Sequence, residues 1–266
     1  MLFRVTSAFR NLSDLRPILV GAALTGLAMA STAAVADDNT STPVEAAPRT
    51  IVLINPNSST GATHSMAELA RMEVDGQASV EERSNEGAPA LLTTPEDMEN
   101  AIPGVVQIGT EVAARDDVVA IIVSAFSDPG LEELRAVVDI PVYGIGEEVF
   151  HEAASGGREF GIVTVTPDEG LIESFRQKAA SLGYEDQYKG VRVTPGDPKV
   201  LVTSPEKLDE ALAAAVQESI DEDGSSAVIM GGGPLSASAI RLQPQFDVPL
   251  VVAVNAAARA ALRNLE

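Results

Sequence analysis

Short and almost continuously apolar runs recur along the chain from residue 51 onward. Such runs, rich in Val, Ile and Leu, are typical of strands that are buried on both faces of a parallel sheet. The segments predicted as strands are 51–54, 118–123, 141–145, 160–165, 227–230 and 249–254. Amphipathic stretches between them predict helices. Because strands and helices alternate, the pattern predicts an α/β fold.

Three Ser-Pro or Thr-Pro pairs predict helix starts. Thr94, Thr166 and Ser204 each precede a proline and an acidic residue, which is the arrangement of an N-cap followed by proline in the first turn. Thr166 also has the spacing of a capping box with Glu169. Gly183 is predicted to end the helix that Thr166 begins, because glycine readily takes the left-handed conformation found after a helix.

The sequence also repeats itself at a nearly constant spacing. Residues 139–142 (DIPV) recur as residues 247–250 (DVPL), 108 positions later. Residues 118–123 and 226–230 correspond at the same spacing. A constant spacing of this kind favours an internal duplication over a chance likeness between similar units.

The duplication predicts two similar α/β halves. We expect residues 49–145 together with residues 248–266 to form the first half, and residues 146–247 to form the second. Ligands of open α/β sheets bind outside the carboxyl ends of the strands. A ligand site is therefore expected in the cleft between the two halves.

The first 36 residues are predicted to be a signal peptide. Arginines precede an apolar run at residues 17–30, and the segment ends in A-V-A at residues 34–36, the small-residue form of a cleavage site. A retained membrane anchor is the alternative, although the run is shorter than the roughly 20 apolar residues of a bilayer span. Residues 37–49 are polar and predicted to form a flexible lead-in. The expected location is secreted or periplasmic, with no membrane contact after cleavage.

Composition removes several classes of function. The chain has no cysteine, which excludes disulfides, thiolate metal sites and a cysteine nucleophile. It carries 18 basic and 39 acidic residues, for a net charge of −21, and so lacks the basic surface expected of a nucleic-acid-binding protein. No pair of His, Asp or Glu residues stands out at metal-ligand spacing, so no metal is predicted. An anionic ligand would have to be held by local donors, because the overall charge repels it.

Three loops that follow predicted strands carry the candidate chemistry: loop 1 (residues 55–60, NPNSST), loop 2 (residues 124–130, SAFSDPG) and loop 3 (residues 231–234, GGGP). Loop 1 offers amides and hydroxyls to a carboxylate or ureide, although helix capping explains the same residue types. In loop 2, serines can donate to an anion or merely end the strand, and Asp128 is predicted as the N-cap of a helix over residues 130–137. The glycines of loop 3 permit close backbone approach or positive φ.

Taken in order, residues 51–60, 126–131 (FSDPGL), 140–147 (IPVYGIGE), 160–165 (FGIVTV) and 230–233 (MGGG) resemble the aspartate/glutamate/hydantoin racemase superfamily, and most closely its hydantoin racemase branch. The resemblance covers about residues 50–266. It implies two flavodoxin-like parallel-sheet halves related by a pseudo-twofold axis, with the site in the cleft between them. It also implies cofactor-independent exchange of an α-proton on a small carboxylate or hydantoin, often in a homo-oligomer.

The family's catalytic pair is two cysteines, one on each face of the substrate carbon. Carried over onto this sequence, the two positions are Ala125 and Gly232, so the thiol pair is absent. The loops that hold the ligand are retained. The resemblance implies that the ligand-binding residues are Asn55, Asn57, Ser58, Ser59, Thr60, Ser124, Phe126, Thr164, Gly231 and Gly233.

Other residues are candidates to replace the thiols. They are Ser124, Ser127 and Glu147, although a serine would need a neighbouring base. The histidines, His64 and His151, lie outside the three loops and are predicted to be exposed or packing residues. Two hypotheses remain open. The protein is an exported binder of a small carboxylate or hydantoin-like compound, or it is an active cofactor-independent isomerase or lyase with altered chemistry.

Overall fold

The structure is a computed structural model that describes residues 49–201, 203–232 and 235–265. The predicted signal peptide (residues 1–36) lies outside the described residues, as does the predicted lead-in except for its last residue. Gly233 of loop 3 also lies outside them. Within the described ranges, no helix is both long and apolar enough to cross a bilayer.

Two four-stranded parallel sheets form the framework, with the strand orders β2-β1-β3-β4 and β6-β5-β7-β8. The order of the first sheet is repeated in the second. This confirms the predicted α/β fold with two similar parallel-sheet halves related by a pseudo-twofold axis. The strands are β1 (Thr50–Asn55), β2 (Ser79–Ser84), β3 (Val118–Val123), β4 (Val142–Gly144), β5 (Phe160–Thr164), β6 (Tyr188–Val193), β7 (Ala227–Met230) and β8 (Leu250–Val251).

Helices connect the strands and cover both faces of each sheet. They are α1 (Thr60–Val74), α2 (Pro95–Ala113), α3 (Leu131–Arg135), α4 (Ile145–Ala154), α5 (Glu169–Ser181), α6 (Pro198–Leu201), α7 (Pro205–Asp221), α8 (Ser236–Leu242) and α9 (Ala253–Arg263).

Two helices link the halves, because each follows one sheet along the chain and packs against the other. Helix α4 follows the first sheet but buries Phe150 against Phe160 of the second sheet. Helix α9 follows the second sheet but buries Val254 and Ala257 in the core around Ile51 of the first. The core of the first half is therefore completed by α9, which follows the second sheet along the chain. The core of the second half is completed by α4, which follows the first sheet.

Two of the three predicted helix starts are confirmed. Thr94 caps α2 and forms the capping box with Asp97, and Ser204 caps α7. The predicted start at Thr166 is wrong: the cap of α5 is Asp168, whose carboxylate accepts the N–H of the third residue beyond it at 2.8 Å. Aspartate is the stronger N-cap residue, and Thr166 instead donates its backbone N–H to a strand residue. Gly183 has φ +80° just beyond the end of α5, as predicted.

The last predicted strand is wrong in its second part. Strand β8 ends at Val251, and α9 begins at Ala253. Because α9 is buried along much of its length, its first turn is as apolar as the strand before it. The apolar run over residues 249–254 therefore crosses the boundary between two elements.

Candidate functional site

The carboxyl ends of the inner strands have the same geometry in the two halves. In the first half, the backbone N–H of Ser124 after β3 donates to the carbonyl of Ile54 in β1 at 2.9 Å. In the second half, the N–H of Gly231 after β7 donates to the carbonyl of Val163 in β5 at 2.8 Å. Ser124 and Gly231 are thus equivalent positions, 107 residues apart.

The positions that the resemblance assigns to cysteines come immediately after Ser124 and Gly231 in the sequence. Ala125 and Gly232 are each the next residue along the chain, so they occupy equivalent places in the two halves. Gly232 does not have positive φ, and a Cβ there would meet Leu235 at 3.6 Å, an ordinary contact. A Cβ on Gly231 would lie 2.9 Å from Cγ2 of Ile162. Glycine is therefore needed for close approach at Gly231, whereas Gly232 has room for a Cβ atom.

Loop 1 is held together by its own amide groups. Asn55 is fully buried, and its Nδ2 donates to Oδ1 of Asn57 at 2.8 Å and to Oγ1 of Thr63 at 3.0 Å. The same Oδ1 of Asn57 accepts the N–H of Ser59 at 2.9 Å. Ser59 in turn caps α1. Much of the amide and hydroxyl capacity of loop 1 is thus used in hydrogen bonds inside the loop and in the helix cap. The capping interpretation is confirmed, and ligand binding by loop 1 stays a prediction.

The remaining donors of loop 1 are grouped at the start of α1. Within the described residues, the Ser58 hydroxyl and the backbone N–H groups of Thr60 and Gly61 have no hydrogen-bond partner. The N-terminus of a helix favours an anion because unpaired N–H groups and the helix dipole both point there. These three donors are the part of loop 1 that is available to a carboxylate or a ring carbonyl.

Loop 2 begins with a second set of donors. The backbone N–H groups of Ala125, Phe126 and Ser127 find no acceptor in the part of the chain that the structure describes. Ser124 is 2% exposed and donates its hydroxyl to the carbonyl of Ile54 at 3.1 Å. Ser127 is exposed and contacts no base among the described residues. Neither serine has the neighbouring base that activates a hydroxyl.

Phe126 and Asp128 attach loop 2 to the second half. The ring of Phe126 packs edge-on against Phe150 and Phe175, with ring centroids 6.0 and 5.2 Å apart. Oδ2 of Asp128 accepts Nζ of Lys178 on α5 at 2.8 Å. Burial raises the pKa of Asp128, although Lys178 opposes that effect. The side chain of Phe126 is therefore partly committed to packing.

The prediction that Asp128 is a helix N-cap is wrong. Asp128 has φ +52°, and α3 begins only at Leu131, with Gly130 at the cap position. The carboxylate of Asp128 accepts the N–H of Gly146 at 2.8 Å, which lies at the start of α4 rather than of α3. A contact with a more distant part of the chain has replaced the local cap.

On the second half, Thr164 and Gly231 lie at the ends of β5 and β7. Thr164 is 1% exposed, and its hydroxyl accepts the N–H of Thr166 at 3.3 Å. A Cβ on Gly231 would lie 3.5 Å from the ring of Phe175. Because Phe175 also contacts Phe126, one buried ring lies between loop 2 and loop 3. The structure thus brings the described parts of these two loops close together.

Glu147 is an ion-paired side chain. Its carboxylate lies 3.2 Å from Nε2 of His151 and 2.9 Å from a guanidinium nitrogen of Arg135. The hydrogen bond from His151, helped by Arg135 and opposed by burial, lowers the pKa of Glu147 to about 2. The pKa of His151 is raised, chiefly by the same hydrogen bond, and its Nδ1 lies 2.7 Å from the Tyr184 hydroxyl. His64, by contrast, has a side chain that is 63% exposed.

A cavity of about 520 Å³ opens on the first half alone, beside loop 1. Its lining includes Thr60, Ser84, Asn85 and Gln107 but neither Ala125 nor any residue of the second half. It is therefore distinct from the space between the strand ends of the two halves.

Sequence reasoning missed two residues that support the loops. Thr63 accepts from Asn55 and contacts the Ser84 hydroxyl at 2.6 Å, and Lys178 holds Asp128. Both lie inside helices, where nothing in the local pattern separates them from other polar residues. For Thr63 the one available signal was its position four residues after the Ser59 cap.

Comparison with known proteins identifies the family and agrees with the fold. The family model described as Asp/Glu/Hydantoin racemase matches residues 51–261. A hydantoin racemase of Pseudomonas sp. (strain NS671) is 26% identical over 216 residues, which cover 79% of this chain and 84% of that protein. The structure of allantoin racemase from Klebsiella pneumoniae aligns with a TM-score of 0.72 at 23% identity, covering 82% of this chain and 87% of that one.

The fold extends to an enzyme of a different reaction. The crystal structure of arylmalonate decarboxylase aligns with a TM-score of 0.56 at 14% identity, over 80% of this chain and 91% of that one. The resemblance drawn from the sequence motifs is confirmed by the family match over most of the described residues. This chain belongs to the aspartate/glutamate/hydantoin racemase family.

Proposed function

We propose that the protein is an exported member of its family that binds a small carboxylate or hydantoin-like compound in the cleft between the two halves, without thiol-based proton exchange. One observation carries the proposal: both positions that the resemblance assigns to catalytic cysteines lack a thiol, while backbone donors of loops 1 and 2 have no acceptor within the described residues. Ala125 and Gly232 occupy those positions, and the chain contains no cysteine.

The free donors support this class of ligand. Hydantoins carry ring carbonyls and carboxylates carry two oxygens, and both kinds of group accept hydrogen bonds from backbone N–H groups. The N–H groups of residues 125–127 and of Thr60 and Gly61 have no acceptor within the described residues. In a protein with a net charge of −21, such local donors are what can hold an anion.

The side chains near the missing thiols are poor replacements. A proton-transfer group works best when its pKa lies near the working pH. The pKa of Glu147 is about 2, and its carboxylate is held by Arg135 and His151. The hydroxyl of Ser124 already donates to a carbonyl. These contacts favour the binder over the alternative of an isomerase or lyase that uses Ser124, Ser127 or Glu147.

Solvent deuterium exchange tests the proposal. The purified protein is incubated in D2O with allantoin, 5-methylhydantoin, L-aspartate or L-glutamate, and the α-proton signal is followed by NMR against a buffer control. We expect one compound to raise the melting temperature, because a ligand of the folded state stabilises it, with α-proton loss no faster than in buffer. Exchange that S124A or E147Q abolishes would establish the enzyme instead. Neither stabilisation nor exchange with any of the four compounds would contradict the binder.

Restored thiols test where the ligand lies. The variant A125C/G232C returns a cysteine to both equivalent positions, and a Cβ on Gly232 would make only ordinary contacts with Leu235. If a stabilising compound lies between these positions, we expect α-proton exchange above that of either single variant. A double variant that still binds the compound but exchanges no faster than the single variants would contradict a ligand placed between the two positions.

Export is tested separately. Cleavage after Ala36 predicts that the periplasmic form begins at Asp37, which N-terminal sequencing of the purified protein would reveal. Recovery of the chain with residues 1–36 intact from the membrane fraction would favour the retained anchor.

A further inference from the structure

An ion pair with a deeply buried carboxylate attaches loop 2 of the first half to the second half. The carboxylate of Asp128 is 3% exposed, and its Oδ2 lies 2.8 Å from Nζ of Lys178, whose side chain is 25% exposed. Its Oδ1 accepts the backbone N–H of Gly146 at 2.8 Å. Lys178 belongs to α5, and Gly146 to the first turn of α4. One side chain therefore joins loop 2 to two helices.

Aromatic packing attaches the same loop at a second point. Phe175 lies three residues before Lys178, so the two side chains project from the same face of α5. The ring of Phe126 rests against Phe175, and the carboxylate of Asp128 meets Lys178. One face of α5 thus receives loop 2 through an apolar contact and a charged contact, just after Ala125.

The backbone around Asp128 is tightly constrained. Its φ of +52° is uncommon for a residue other than glycine and is kept only where the surroundings impose it. A Cβ on Gly144 would lie 2.5 Å from Cγ of Asp128, and a Cβ on Gly146 would lie 1.8 Å from the carbonyl oxygen of Phe126. The segment that leads into α4 therefore carries glycines where loop 2 rests on it.

We infer that Asp128 is a positioning residue, which acts with Lys178 to hold Ala125 and the free N–H groups of loop 2 in the orientation that binds the ligand. The anchoring of the loop stands on the contacts above. Its effect on affinity rests on the proposed function, and the two are measured separately.

Four variants and a control test the inference. K178M removes the cation, and D128N/K178M removes both charges, so that no unpaired carboxylate remains buried. K178R keeps the charge and the donor. K207M removes an exposed lysine of α7 and is the matched control. D128N alone keeps an acceptor for the N–H of Gly146.

Two readouts are taken on each variant: hydrogen exchange at the hydrogen-bonded backbone N–H groups of Ser124, Asp128 and Gly146, and the affinity for allantoin by calorimetry. In K178M and in D128N/K178M we expect exchange to rise roughly tenfold and affinity to fall roughly 3- to 30-fold. K178R should restore the affinity to within about threefold of the parent, and K207M should match the parent in both readouts.

Unchanged exchange in D128N/K178M would overturn the anchoring. Raised exchange with unchanged affinity would overturn the positioning role, since the loop would then be free without consequence for the ligand. If the parent protein does not bind allantoin, the affinity is measured with whichever of the other three compounds stabilises it. Failure with all four compounds would count against the proposed function, and the exchange data alone would then decide whether Asp128 holds the loop.

Discussion

Replacing Glu147 with glutamine should remove a charge interaction that links α3 to α4. The carboxylate receives Arg135 from one side and His151 from the other, and its side chain is 18% exposed. Glutamine has nearly the same shape, so the substitution removes the charge and leaves the packing. E147Q therefore measures how much the two ion pairs contribute to the free energy of unfolding.

The magnitude follows from the pKa. A fall from 4.5 in the unfolded chain to about 2 in the folded protein corresponds to at most roughly 3 kcal/mol, at 1.36 kcal/mol per pH unit. The partners Arg135 and His151 have side chains that are 32% and 35% exposed, so solvent weakens the interaction. We expect E147Q to lower the free energy of unfolding by about 1–2 kcal/mol at pH 6.

The pH dependence has a definite sign. The contribution of Glu147 is present above pH 4.5 and is lost as the pH falls toward 2, because the pKa is lowered on folding. His151 has a raised pKa, so its contribution is present below pH 6.5 and is lost as the pH rises through the folded value. The difference between the parent and E147Q should be greatest between pH 4.5 and 6.5, and should shrink at both ends.

Urea unfolding between pH 3 and 9 measures the difference, with E133Q, which changes an exposed acid of α3, as the control. An NMR titration of the imidazole signals completes the assay, with H64Q used to assign His151. In E147Q the pKa of His151 should fall. A variant as stable as the parent across this range, with His151 titrating as before, would refute the ion-pair account.

Further substitutions probe the loops. G146A should lose roughly 3 kcal/mol in urea unfolding, because its Cβ would meet the carbonyl of Phe126 at 1.8 Å, whereas G61A, with nothing within 4 Å, should be neutral or stabilising. N57A should cost about 1–3 kcal/mol, since its Oδ1 accepts two hydrogen bonds inside loop 1. S58A should stay within about 0.5 kcal/mol of the parent and yet weaken allantoin binding; unchanged affinity would remove Ser58 from the site.

Strand β2 shows where the pattern of apolar residues stops being informative. The inner strands are buried on both faces, so they read as continuous apolar runs and were predicted. Strands β4 and β8 each lie at one edge of their sheet but are buried and apolar, and they were predicted as well. Strands β2 and β6 lie at the opposite edges and were not predicted. Glu81, Glu82 and Arg83 make β2 polar because an edge strand faces solvent, and charge there also discourages pairing with other chains.

Some residues of the candidate site could likewise be predicted from the sequence, and others could not. The strand-end positions of Ser124 and Gly231 could be predicted, because a loop that follows a buried parallel strand must lie at the carboxyl edge of the sheet. The roles of Asp128 and Lys178 could not, since the two residues are 50 positions apart in different halves. Local signals favoured a cap at Asp128, and a tertiary ion pair overrode them.

The most direct test of the account is a hydrogen-exchange footprint of allantoin on the protein. Backbone amides are compared with and without the ligand at saturation. A ligand held between the halves predicts protection of the free N–H groups in residues 58–61 and 125–127, together with residues 231–232. Protection confined to residues 84–87 and 104–108, around the separate cavity beside loop 1, or no protection at all, would contradict it.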